Sequence, residues 1–152
     1  MPNIDVKKGS EKYGESLPAE VHRQREFCEA LQDLDRFERI WLIVWLDCAK
    51  PYSMKVIPYL DTVERGLFKT RAPSRPNPIG ISCVKLEKID HDTGIMFIHG
   101  IDLLDGTQVL DIRPYVLRFD AHPDSEVGWI INRKFMDEAD SRFQSPNQEN
   151  RG

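Results

Sequence analysis

The chain has 152 residues, with 21 Lys and Arg against 25 Asp and Glu, a net charge of −4, and hydrophobic residues at 40%. That length supports one domain with a core of its own. The longest apolar run, Ile40 to Leu46, is far short of the roughly 20 residues a bilayer-spanning helix needs.

The first residues show no apolar stretch of the secretory type, so a cytoplasmic location is expected. Cys28, Cys48 and Cys83 are odd in number and widely spaced, which implies neither a disulfide framework nor a thiolate zinc site. The four histidines are scattered too, so no metal is expected. Charge is unevenly spread: residues 50–90 carry eight basic and four acidic side chains, whereas every other stretch is acidic. A local positive region can hold a polyanion, and it can equally be a solvated loop.

Residues 1–18 are polar and read as an N-terminal arm with at most one short strand near Ile4–Val6. Between His22 and Phe37, Phe27, Ala30, Leu31 and Leu34 recur at helical spacing and predict a short amphipathic helix. Ile40–Leu46 reads as a strand buried on both faces. Pro51 and Pro58 bracket a loop, and Val63–Phe68 is a possible short strand. Pro73, Pro76 and Pro78 forbid regular structure across Arg71–Pro78. Three strands follow, Ile81–Ile89, Ile95–Leu103 and Val109–Phe119, separated by turns at His91–Gly94 and Asp105–Thr107. Short strands with tight turns predict a mainly β fold: a small closed antiparallel barrel over residues 19–140, with one or two short helices. Residues 141–152 are polar and read as a disordered tail. No glycine-rich nucleotide fingerprint or P-loop occurs, so a ligand would be held by loops between strands.

Two segments carry the chemistry. In Thr70–Gly80, three prolines stiffen the backbone, so little entropy is lost when a ligand is gripped. Arg71 and Arg75 offer planar donors for carboxylate or phosphate, and Asn77 can satisfy backbone or ligand. Arg75 is expected to reach solvent or ligand; the opposing reading makes it a partner in a buried ion pair. The second segment is His99–Tyr115. Asp102 and Asp111 there need partners, with Arg71, Arg75 and Arg113 available, while Asp105 can simply cap a turn.

The two segments resemble the TsaA/TrmO-like (YaeB) family. Thr70–Gly80 resembles its Thr-Arg-Ser-Pro-x-Arg-Pro-Asn-Pro-Ile-Gly signature. Asp102–Tyr115 resembles Asp-x-x-Asp-Gly-Thr-Pro-Val-x-Asp-Ile-Lys-Pro-Tyr, with Gln108 for Pro and Arg113 for Lys. The likeness runs from about Ala19 to Trp129. It departs in residues 1–18, which lack the family's opening strand and its Pro-Arg-Gln element, and at Asp47-Cys48, where the family usually carries His-Gln.

The resemblance implies a dimerising β-barrel that uses S-adenosylmethionine to methylate N6-threonylcarbamoyladenosine beside a tRNA anticodon. It implies that Arg71, Ile81, His99, Gly100, Ile101 and Asp102 line the cofactor. Asp47 and Cys48 are expected to contact the cofactor as well, and Arg75 and Asn77 to face the RNA. No base is evident; Tyr115 and Asp105 are the candidates. Two rivals stand beside this: a barrel that binds S-adenosylmethionine or another adenosine compound without catalysis, and an interaction protein whose proline-rich loop only shapes a dimer interface.

Overall fold

A computed structural model describes residues 5–8, 18–22, 25–59 and 61–130. Most of the N-terminal arm and all of residues 141–152 lie outside them. Eight strands run in chain order: β1 Asp5–Lys8, β2 Pro18–His22, β3 Arg39–Trp45, β4 Lys55–Val56, β5 Arg65–Gly66, β6 Ile79–Asp90, β7 Ile95–His99 and β8 Gln108–Pro114. Six of them form one antiparallel sheet in the order β1-β2-β7-β6-β3-β8. Its last seam is one residue pair wide, Asp5 with Gln108. β4 and β5 form a separate small ribbon.

β3 holds the sheet together. It pairs with β6 along its full length, Arg39 with Lys85 through Trp45 with Ile79. Its other edge pairs with β8, Ile40 with Pro114 through Trp45 with Gln108. Ile40, Leu42 and Val44 point inward and are wholly buried, whereas Trp41, Ile43 and Trp45 are half-buried outside. The strand is thus buried on one face rather than both. Val21, Val84, Leu86, Met96, Ile98 and Val109 complete the core from the other strands, with Leu31 and Ile101 packed in.

Gly80 crosses β3 too closely for a side chain. A Cβ built there would stand 2.8 Å from Val44 Cγ2 and 3.4 Å from both Leu46 methyls.

Several elements differ from the sequence expectation. No α-helix spans His22–Phe37; 3-10 turns occupy Arg25–Phe27, Glu29–Leu31 and Leu34–Arg36. Asp33 has φ 63, a left-handed conformation that breaks helical continuity between Leu31 and Leu34. Leu31 is buried in the core, while Ala30 is exposed. β7 stops at His99 rather than Leu103, because Gly100 turns the chain at φ +83. β8 stops at Pro114, and the α-helical turn α1, Leu117–Asp120, follows in place of more strand. Both expected turns are present, and the Asp90 carboxylate closes the first by accepting the Asp92 and Thr93 N–H groups. The Thr93 side chain, with the backbone bonds from Thr93 and Asp92, holds that carboxylate below its ordinary pKa.

Residues 47–78 leave the sheet as a long excursion, and a buried carboxylate organises it. Asp61, 2% exposed, accepts the Thr62 and Val63 N–H groups at 2.8 and 3.3 Å. Arg65 Nε and Nη2 close on its other oxygen at 2.9 and 2.7 Å. Charge, geometry and backbone donors together satisfy this buried acid.

Replacing Gly80 by Ala should destabilise the fold by about 1–3 kcal/mol, because Val44 is a short core side chain that cannot swing away. Urea midpoints of wild type and variant measure this, and an unchanged midpoint would show that the crossing has slack.

Candidate functional site

The Thr70–Gly80 loop is irregular, as its prolines require, and it is pinned at both ends. Thr70 Oγ1 donates to the Leu67 carbonyl at 2.8 Å and accepts the Ala72 N–H at 3.3 Å. At the far end, the Leu46 N–H donates to the Pro78 carbonyl at 2.7 Å, tying the loop to the end of β3. The Asn77 carbonyl takes the Ile79 N–H at 2.8 Å.

The two arginines of this loop differ. Arg75 turns back on its own loop: Nη1 donates to the carbonyls of Thr70 and Ala72 at 3.1 and 3.4 Å. Its guanidinium lies 5.3 Å from the centre of the Phe68 ring. The Arg75 side chain is half-buried, and among the described residues it joins no ion pair, so the buried-ion-pair reading is not met. The reason is local: carbonyls left unpaired by the prolines are the nearest acceptors. Arg71 is exposed and, among the described residues, joins no ion pair. Asn77 is exposed too.

Strand pairing decides which candidates share a place. Trp45 has Ile79 on one side and Gln108 on the other. Asp47–Cys48, Asn77–Pro78 and Asp105–Thr107 therefore leave the same end of three adjacent strands. Asp47, Cys48 and Asp105 are all exposed there. Gly106 has φ +81, and the buried Thr107 donates its hydroxyl to the Leu104 carbonyl at 2.7 Å, which fixes this turn. Ile81 lies two residues into β6, with its side chain outward beside Ile43.

His99 pairs with Lys85, four residues beyond Ile81 on β6, about 13 Å along the strand. Gly100 to Asp102 follow directly after that pair, beyond the end of β7. Gly100 and Asp102 are exposed. Ile101 faces the core, so a ligand beside this stretch would meet its backbone and not its side chain. Tyr115 lies past the opposite end of β8, its ring 5.9 Å from Trp41. The seven residues of β8 put about 20 Å between Asp105 and Tyr115. One site cannot use both. Asp111 finds its partner in Arg113, at 2.8 Å.

Three features escaped the sequence reading. His99 Nε2 stands 2.8 Å from Glu87 Oε2, and Glu87 is the extra residue of a β-bulge opposite β7. Trp129 Nε1 donates to the Lys69 carbonyl at 2.8 Å while Arg65 stacks on the indole at 5.7 Å. Phe68, under Arg75, is 76% exposed. Bulges and chain return leave no local trace, but an aromatic residue inside a basic stretch was a visible signal for Phe68.

Known proteins resemble this chain. A probable S-adenosyl-L-methionine-binding protein of Pyrococcus abyssi is 42% identical over 125 residues, 80% of this chain and 67% of that one. A tRNA (adenine(37)-N6)-methyltransferase of Eikenella corrodens is 51% identical over 65 residues, 42% of this chain and 37% of that one. The crystal structure of TrmO from Pseudomonas aeruginosa superposes with a TM-score of 0.67 at 31% identity, covering 84% of this chain and 60% of that one. This chain thus spans only part of the relatives it matches. The family model of the tRNA-methyltransferase O N-terminal domain matches residues 10–121, and the chain belongs to that family.

Proposed function

We propose that this chain binds S-adenosylmethionine and transfers its methyl group to N6 of adenine 37 in tRNA, on an adenine already carrying a threonylcarbamoyl group. The observation that carries this reading is the emergence of the Arg71 loop and the Asp105 turn from one end of adjacent strands, in a chain of this family. The bound cofactor would supply an electrophilic methyl on its sulfonium. The chain's own task is to hold that methyl and the attacking nitrogen in line, about 3 Å apart, and to take one proton. Arg71, exposed and outside any ion pair among the described residues, offers a planar fork to an anionic group. Asp102 orients polar groups of the donor. A cytoplasmic location fits a tRNA substrate, and no helix among the described residues is long and apolar enough to cross a membrane.

Non-catalytic binding of S-adenosylmethionine is the second reading. The share of this chain that matches favours it: 80% aligns with the archaeal binding protein and 42% with the bacterial enzyme. Ligand at 100-fold over its dissociation constant should stabilise folding by about 2.7 kcal/mol, seen as a melting shift. Labelled methyl should then appear in tRNA lacking this modification. A shift without transfer selects the second reading, and no shift at millimolar ligand removes both.

Asp105 takes the proton, because Tyr115 is at the far end of β8 from the loops that carry the motifs. Asp105→Asn should lower kcat by about 10²- to 10⁴-fold while the melting shift persists. A kcat within threefold of wild type would assign the base elsewhere.

The ring of strands acts as a closed barrel, and two barrels pair through the outer face of β3 and β6. Trp41, Ile43, Trp45, Ile79, Ile81 and Cys83 all point outward there, with Ile79 45% and Ile81 51% exposed. Trp129 does not contribute, since its indole is already used within the chain. Ile81 belongs to both readings, which puts the cofactor at the rim of the subunit contact. Sedimentation should give a species of twice 17.6 kDa at micromolar concentration. Monomer alone at high micromolar concentration would overturn the pairing.

A further inference from the structure

Phe68 is the most exposed large apolar side chain among the described residues. Such a ring would normally fold away from water, but its turn does not allow it. Phe68 sits in the 3-10 turn Leu67–Lys69, held on three sides. Leu67 is buried, and its N–H donates to the Met54 carbonyl at 2.9 Å. Thr70 sends both N–H and hydroxyl to the Leu67 carbonyl, at 3.0 and 2.8 Å. Trp129 Nε1 grips the Lys69 carbonyl at 2.8 Å. The ring is fixed outward.

Arg75 backs Phe68, and its guanidinium is itself immobilised by two loop carbonyls. With one arginine against it and most of its surface in water, the ring is a preset flat surface. Its surroundings are cationic. Residues 50–75 hold six basic and two acidic side chains. Both acids are engaged inside the excursion, Asp61 by Arg65 and Glu64 by Lys55 at 3.6 Å. Lys69 and Arg71 flank the ring and are exposed.

We propose that Phe68, backed by Arg75, is a stacking platform for an unpaired RNA base. A fixed aromatic surface among cations fits single-stranded RNA, whose bases expose a π-face and whose phosphates seek positive charge. A duplex hides those faces. The inference rests on the tRNA reading for the class of partner, and it gives Arg75 a role under the platform instead of on a phosphate.

The test measures fluorescence anisotropy of two labelled RNA probes on the full chain: a hairpin with a seven-nucleotide loop and a blunt duplex of equal length. Phe68→Ala and Phe68→Leu should each weaken hairpin binding on the order of 10-fold. Phe68→Trp should retain it, and duplex binding should not change. The salt dependence should keep its slope, because no phosphate contact is lost. Melting curves check that each variant folds. Equal hairpin affinity in wild type and Phe68→Ala overturns the platform, as does full affinity in Phe68→Leu, which would show a merely apolar partner surface. Hairpin discrimination without methyl transfer to tRNA upholds the platform and removes the catalytic reading. Methyl transfer with an unchanged KM in Phe68→Ala does the reverse. A wild type that holds neither probe removes both.

Discussion

Everything in this protein hangs on β3 being paired along both edges. A strand satisfied on both sides cannot slide, because a one-residue slip would send Ile40, Leu42 and Val44 outside and Trp41, Ile43 and Trp45 inside. Its register therefore fixes where β6 begins and where β8 begins, and the loops before those two strands are the two motif segments. The close crossing of Gly80 over Val44 reinforces the register at the end where the loops emerge. Core packing and site geometry are one constraint here.

The excursion between β3 and β6 meets a different problem. It is polar and proline-broken, so it cannot use a ladder to satisfy its backbone. Side chains do that work instead. Asp61 collects two N–H groups and a guanidinium, Arg75 supplies donors to two carbonyls, and Trp129 supplies one to a third. The Asp61 and Arg75 bonds are charge-assisted and stronger than neutral ones, and with the indole bond they order a segment that buries little apolar surface. The excursion is stiff because its polar groups are committed inward. That leaves Arg71 and Lys69 as exposed cations beside it.

Strands and turns were legible where alternation or turn chemistry was local. The Ile40–Leu46 run, the Asp-Gly turn at 105–106 and the three prolines all act over a few residues, and each was read correctly in kind. The Phe27–Leu34 spacing misled, because helical period is a statement about one face. Asp33 in a left-handed conformation means no common face exists. Placement of the site was half legible. The motifs named the segments, but only pairing could show that Asp105 and Tyr115 sit at opposite ends of a strand, or that Ile101 is spent on the core. The contacts of Arg75 were hidden for a related reason: a sequence shows which residues have donors, not which carbonyls the prolines leave without partners.

The two bulges show how the fold obtains chemistry from a ladder that would otherwise offer only alternation. On β8, Val109 and Ile112 both serve the core although they are three residues apart. The ladder pairs Val44 with Val109 but Ile43 with Asp111, so Leu110 is the extra residue. Under strict alternation from Val109, Asp111 would fall on the inward face. With the extra residue, Asp111 lies outside with Arg113 beside it. On β6, Leu86 and Ile89 likewise both pack on the core with Glu87 as the extra residue. Its carboxylate is thereby aimed across to His99. In each strand a three-residue gap between inward positions coincides with a polar side chain brought to a partner. Alternation builds the wall of the sheet, and its interruptions put ionisable groups to use on the outer surface.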